Sequence, residues 1–266
     1  MTHITLPATD APTYLVPRVA LVTGAGRRLG RAIALGLAAA GWDIGVHYRH
    51  SERDAIETAD AIRALGRRAA LLPCDLGDEA AVRALPERAA QALGRVTCIV
   101  NNASLFEYDS ATSFSPSLLA AHMHTNLAAP LLLAQALHAA TPENEQAVVI
   151  NLLDQKLYNL NPDFLSYTLS KAALEAATKM LAQALAPRLR IVGVAPGITL
   201  VSGDQSEDGF AQAHMQTPLN RSSTPQDIAD AVVYAAAARA LTGTTLVVDG
   251  GQHLVPLARD VMFLTK

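Results

Sequence analysis

Seven short runs of Val, Ile, Leu and Ala recur along the chain, at residues 19–23, 44–47, 70–74, 98–101, 148–152, 191–195 and 246–248. Ala/Leu-rich stretches such as 29–40, 56–65, 118–140, 167–185 and 228–238 lie between them. No other feature limits the fold as tightly. Strand then helix, repeated, demands right-handed crossovers and a parallel sheet. The runs are uninterrupted rather than alternating with polar residues, so both faces of the sheet must be covered. The expectation is an α/β protein with one Rossmann-like, doubly wound parallel sheet of about seven strands and helices on both faces.

A chain of 266 residues suits one such domain, spanning 18–266 behind a loose arm at 1–17 that carries three prolines. No apolar run approaches the ~20 residues of a bilayer span, and the arm has no signal-peptide pattern, so a cytoplasmic protein is expected. A net charge of -3 gives no electrostatic reason to expect nucleic acid. Cys74 and Cys98 stand apart from any Cys/His cluster. They read as reduced core thiols, and no metal site is expected from them. The polar stretch 202–224 reads as part of a lid over about 199–224, or as a surface loop.

In a doubly wound sheet, ligands bind beyond the carboxyl ends of the strands. After the first strand, Thr23-Gly24-Ala25-Gly26-Arg27-Arg28-Leu29-Gly30 opens a helix. Glycines there let the backbone approach a pyrophosphate, and the helix N-terminus offers free N–H groups. After the second strand, His47-Tyr48-Arg49-His50-Ser51 carries no acid to hold a ribose hydroxyl. Arg49, His50 and Ser51 are donors that suit a 2′-phosphate, so NADPH is expected over NADH. Asp75, after the third strand, can accept from an adenine amino group or cap a turn. Tyr167 and Lys171 are four apart and share one helix face, where an ammonium would lower the phenol's pKa.

Together Thr23–Gly30, Asn101-Asn102-Ala103, Asn126, Tyr167/Lys171 and Pro196-Gly197 resemble the short-chain dehydrogenase/reductase family over about residues 18–255. Three departures are similar to its pteridine reductase branch, which includes dihydromonapterin and dihydrofolate reductases. Arg28 replaces a glycine, Ser104 replaces the glycine after Asn-Asn-Ala, and Asp154 replaces the serine 13 residues before the tyrosine. Phe106 and the His-Tyr-x-x-Ser stretch fit the same branch, although its parasite members reverse the order of Arg49 and His50.

The resemblance implies NADPH along Gly24, Arg28, Leu29, Arg49, His50, Ser51, Asp75, Leu76, Asn102, Ala103, Ser104, Tyr167, Lys171, Pro196, Gly197 and Ile198. It implies a pteridine-like substrate against Arg28, Ser104, Phe106, Asp154 and Tyr167, with Asp154, Tyr167, Lys171 and Asn126 catalytic. Tyr167 would donate the proton and Lys171 would hold the nicotinamide ribose. Asn126 would link Lys171 to solvent, or pin a helix bend before Pro130. Phe106 would stack on a flat heteroaromatic ring, or simply pack its loop. An ionised Asp154 cannot donate to a carbonyl oxygen, whereas a carboxyl group suits protonation at a ring C=N. The competing expectations are a carbonyl or sugar reductase that carries Asp154, and a non-catalytic NADPH sensor, which would not need the tuned Tyr167. A homotetramer is expected, paired through the helical stretches 118–140 and 167–185. The apolar C-terminal stretch 259–264 is expected to dock on a neighbouring subunit near its active site, or to fold back onto its own subunit.

Overall fold

The computed structural model describes residues 17–201, 207–215 and 217–263. Most of the N-terminal arm and part of the lid stretch lie outside them. The strands are β1 (Val19–Val22), β2 (Asp43–Tyr48), β3 (Ala69–Pro73), β4 (Cys98–Asn101), β5 (Ala147–Leu152), β6 (Leu189–Pro196) and β7 (Thr245–Val248). They form one sheet in the order β3-β2-β1-β4-β5-β6-β7, every pair parallel. The chain reverses its direction of travel across the sheet between β1 and β4, which opens a crevice at their carboxyl ends.

The strands alternate their side chains between two cores. Ala20, Val22, Val100, Ile150 and Val192 face one core, while Val19, Leu21, Ile99, Val149 and Ile191 face the other. The helices α1 (Arg28–Ala39), α2 (Glu52–Ala64) and α8 (Pro225–Ala237) cover the first face with Ile33, Leu37, Ile62 and Val232. The second is covered by α3 (Glu79–Leu93), α5 (Ala129–Ala140) and α6 (Leu165–Ala184), through Leu85, Leu133, Leu137 and Ala182. A short α4 (Pro116–Met123) precedes α5, and α7 (Glu207–Met215) lies in the lid stretch. Among the described residues no helix is long and apolar enough to cross a membrane.

The structure revises one reading of the sequence and decides between two others. The stretch 118–140 reads as one helix, but a π-helical turn at His124–Ala128 divides α4 from α5. Pro130 has no N–H to return to the carbonyl of Asn126, so the ladder slips there. Of the two expectations for the C-terminal stretch, residues 259–263 follow the second and lie on their own chain. Arg259 pairs with Asp163 at 2.7 Å, and Phe263 packs against Tyr108 and Phe164.

Candidate active site

A cleft of about 800 Å³ opens at the carboxyl edge of the sheet. Its lining brings together residues that are far apart in sequence, from Gly24 to Met262. Except for Asn126, every residue expected to touch cofactor or substrate lines this one cleft.

The floor is the glycine-rich turn. Gly24 takes φ +64, a left-handed conformation, and a Cβ on Gly30 would sit 2.1 Å from the Gly24 carbonyl oxygen. Only glycine permits this contact between turn and helix. The N-terminus of α1 has no side-chain cap at Arg27, so its first N–H groups remain available to a ligand. Thr23 Oγ1 accepts from the N–H groups of Asn102 and Ala103, each at 3.0 Å, which ties the β4 loop to the β1 turn. This open cradle of backbone donors fits a dinucleotide pyrophosphate.

At the far end of the cradle, Arg49 pairs with Asp75 at 2.9 Å, both side chains about half exposed. Ser51 begins α2 beside them without bonding the helix N-terminus. His47 lies inward of this group and is buried. Its Nδ1 accepts from the Gly24 N–H at 2.9 Å and its Nε2 contacts the Cys74 carbonyl at 3.1 Å. That pairing fixes a neutral ring with its proton on Nε2. Burial pushes its pKa down to about 4, so the link persists at neutral pH.

Arg28 explains a departure noted in the sequence. It adopts φ +52, where glycine is the easy residue. From there its guanidinium reaches across the cleft to the Val201 carbonyl at 2.8 Å. A strained arginine at the cleft mouth clamps the glycine-rich turn to the segment after β6, where Pro196, Gly197 and Ile198 also line the wall.

The opposite end holds the titratable groups. Tyr167 donates its hydroxyl to Asp154 Oδ2 at 2.8 Å, and Asp154 Oδ1 accepts the Lys156 N–H at 2.8 Å. Lys171 donates to the Leu152 carbonyl at 2.7 Å and lies 5.7 Å from the Tyr167 ring centre. Burial raises the pKa of the Asp154 carboxyl and lowers that of Lys171 to about 8. Tyr167 is pushed well above its usual range, first by burial and then by the Asp154 charge. The expectation that Lys171 lowers the phenol is therefore reversed in this arrangement. Burial acts first and the Asp154 carboxylate bonded to the hydroxyl adds to it, while the Lys171 ammonium is held by the Leu152 carbonyl.

Asn126 sits behind the cleft wall, in the π-helical turn. It donates to the Leu105 carbonyl and to Ser170 Oγ, each at 3.0 Å, and accepts from Leu105 N at 2.8 Å and Ser104 Oγ at 3.2 Å. It therefore fastens the Ser104 loop to α6 directly. Phe106, on that loop, stacks on Phe164 with centroids 4.4 Å apart and meets Tyr167 edge-on at 4.7 Å. Phe164 itself is buried and left-handed, at φ +54, just before α6.

Phe164 offers no cap to α6. The cap comes from Asp109, which accepts from Ser166 N at 2.9 Å and from Ser166 Oγ, while its carbonyl accepts from Leu165 N at 3.3 Å. A carboxylate at a helix N-terminus also meets the favourable end of the helix dipole. Sequence reasoning missed Asp109 because it lies 57 residues from its partner. It passed over His47 as part of a phosphate-facing stretch, whereas His47 faces inward.

The family model described as enoyl-(acyl carrier protein) reductase matches residues 24–253. The chain belongs to the short-chain dehydrogenase/reductase family. An uncharacterised oxidoreductase of Mycobacterium tuberculosis is 37% identical over 250 residues, covering 88% of this chain and 91% of its own. A 2-dehydro-3-deoxy-D-gluconate 5-dehydrogenase of Dickeya dadantii is 30% identical, over 88% of this chain and 94% of its own. Among solved structures, the FolM alternative dihydrofolate reductase 1 of Brucella suis, in complex with NADP, superposes with a TM-score of 0.86 at 38% identity. It covers 91% of this chain and 97% of its own. The Brucella canis protein of the same description, also with NADP, gives 0.83 at 38% identity, over 89% and 94%. This family member is thus an oxidoreductase on a Rossmann-like sheet.

Proposed function

We propose that this chain is a cytoplasmic, NADPH-dependent pteridine reductase acting on a dihydropterin, a biopterin-like compound or dihydrofolate. The observation that carries this reading is the part-buried 2.8 Å hydrogen bond from Tyr167 to Asp154. Where the family's usual serine would offer a hydroxyl to a carbonyl oxygen, this chain holds a carboxyl group whose pKa burial raises. Such a group supports protonation of a ring nitrogen. The likeness to FolM dihydrofolate reductases with NADP points the same way.

When bound, NADPH supplies the hydride that goes to a ring carbon. Everything else falls to the protein. Tyr167 presents its hydroxyl proton to the adjacent ring nitrogen, and Asp154 restores that proton through their shared hydrogen bond. Lys171, anchored on the Leu152 carbonyl, holds the nicotinamide ribose. Phe106, backed by Phe164, gives a flat ring a surface to stack on, and Arg28 and Ser104 border the substrate. The glycine-rich turn and α1 N-terminus hold the pyrophosphate, with Arg49, His50 and Ser51 at the 2′-phosphate. Asn126 positions Ser104 and Leu105 and, through Ser170, connects to α6.

Turnover of a panel of pterins, folates and simple ketones with NADPH, followed by absorbance loss, tests this reading. The sugar dehydrogenase relative makes a carbonyl reductase the alternative. Reduction of ketones or sugars without any pterin would establish that alternative.

Arg49→Ala should lose about tenfold in NADPH affinity, or about 1.4 kcal/mol, and leave NADH nearly unaffected. The low end of charged hydrogen-bond values applies, because Arg49 is half exposed and must leave Asp75. Equal catalytic efficiency of the parent with both cofactors would contradict the assignment.

The chain should also form a homotetramer. On α6, Leu169 and Met180 are 47% and 68% exposed, an apolar surface suited to a partner helix. Light scattering at micromolar concentration is the check, and a monomer mass would rule the tetramer out.

A further inference from the structure

The segment 259–263 is held to the rest of the chain by a dense set of ion pairs and ring contacts. Asp163, 2% exposed, accepts Arg259 Nε at 2.8 Å and Nη2 at 2.7 Å, and also takes the Asp260 N–H at 2.8 Å. The Arg259 guanidinium holds the Asp163 carboxyl below the usual carboxylate range. Lys156, 4% exposed, donates to the Asp163 carbonyl at 2.6 Å and to Asp260 Oδ2 at 3.2 Å. Buried ions are costly unless their hydrogen bonds are complete, and here each charge has its partner. Phe263 completes the attachment. Its ring lies under the Arg259 guanidinium at 5.1 Å and against Tyr108 and Phe164 at 5.5 and 6.1 Å.

This anchorage has a functional position. Lys156 stands two residues after Asp154, and Asp260, Val261 and Met262 line the cleft. Phe164 packs against both Phe106 of the Ser104 loop and Phe263 of this segment. The Asp260 charge is close enough to raise the pKa of both Asp154 and Tyr167. The whole cleft is about 800 Å³. That is within the range for one small-molecule ligand, yet it must take a dinucleotide as well as a second ring.

Building on the pteridine reading, we propose that residues 259–263 form the substrate-side wall of the chain's own cleft and set its specificity. The wall limits the substituent a bound pterin can carry. It favours compact side chains and disfavours an aryl-glutamate tail by bulk at Met262. Arg259 and Lys156 act as positioning residues, since they hold the wall without touching the substrate.

Binding of biopterin and of folate, measured by calorimetry with NADP⁺ present, tests this. The parent should bind biopterin at least about tenfold more tightly than folate. In Arg259→Ala the wall is released. The preference should shrink about fivefold, chiefly through tighter folate binding, while NADP⁺ affinity stays at the parent value. Met262→Ala, which leaves both ion pairs intact, should shift the preference in the same direction and decides the matter if Arg259→Ala does not fold. An unchanged biopterin-to-folate ratio in a folded variant of each kind, with NADP⁺ binding intact, overturns the wall alone. A parent that binds neither pterin overturns the pteridine reading and the wall together.

Discussion

Asp154→Ser should reduce pterins at least about 10²-fold more slowly than the parent while binding NADPH equally well, because general acid–base assistance is typically worth 10²–10⁴ in rate. The cofactor cradle lies at the other end of the cleft and is not touched by the change. Serine restores a hydroxyl that can donate to a carbonyl oxygen, so weak turnover of simple ketones should appear. Asp154→Asn should lose pterin reduction to a similar extent without that gain, and Tyr167→Phe should abolish both activities. The pH profile separates the groups. Burial favours the neutral acid of Asp154, so its donating form persists above the usual carboxylate range and is lost as pH rises through the shifted value. Burial pushes the pKa of the Lys171 ammonium down to about 8. Turnover of the parent should therefore fall in two steps with rising pH, and Asp154→Asn should keep only the Lys171 step, moved below pH 8 because the Asp154 charge no longer raises it. A parent-like rate of pterin reduction by Asp154→Ser would remove Asp154 from the proton path.

Gly30→Ala should be the most damaging single change in the cofactor cradle. Its Cβ would lie 2.1 Å from the Gly24 carbonyl oxygen and 2.6 Å from Asn102 Nδ2, and both are backbone or backbone-bonded atoms that cannot swing away. The first turn of α1 must then lift from the glycine-rich loop. Overpacking of this kind typically costs about 1–3 kcal/mol, which for a chain of this size lowers Tm by several degrees. The displaced N–H groups should weaken NADPH binding about tenfold or more, beyond what the loss of stability explains. Calorimetric Tm and NADPH titration on the same sample measure both effects. A parent-like affinity would show that the turn is not the pyrophosphate cradle.

How far the sequence reveals this molecule depends on the reach of each interaction. All seven strands overlap the apolar runs, because buried parallel strands must be apolar on both faces, and Ile191 and Val192 can be assigned to opposite cores from alternation alone. The gathering of Gly24, Asp75, Asn102, Asp154 and Gly197 at one edge follows from topology, since each comes just after a strand. What escaped the sequence is long-range or depends on competition between forces. The break at His124–Ala128 hides behind Pro130, which also reads as an acceptable first-turn residue of a helix. The four-residue spacing of Tyr167 and Lys171 predicts a shared face but not the phenol's proton affinity, which turns on Asp154 from another element. Arg259 and Asp163, 96 residues apart, carry no local signal of their union.

Loop exchange between relatives is a common way to alter what an enzyme of this fold accepts, and the seat of Phe106 sets the unit that has to travel. Its ring rests on Phe164, whose left-handed backbone suits glycine better than any aromatic residue, and Asp109 binds the same loop to Ser166. A phenylalanine grafted at the Phe106 position without Asp109, Phe164 and Ser166 should leave its ring unseated. Asp109, Phe164 and Ser166 form the matching half and Asn126 ties the loop to Ser170, so recombination should divide this chain cleanly on either side of 104–170 and poorly within it.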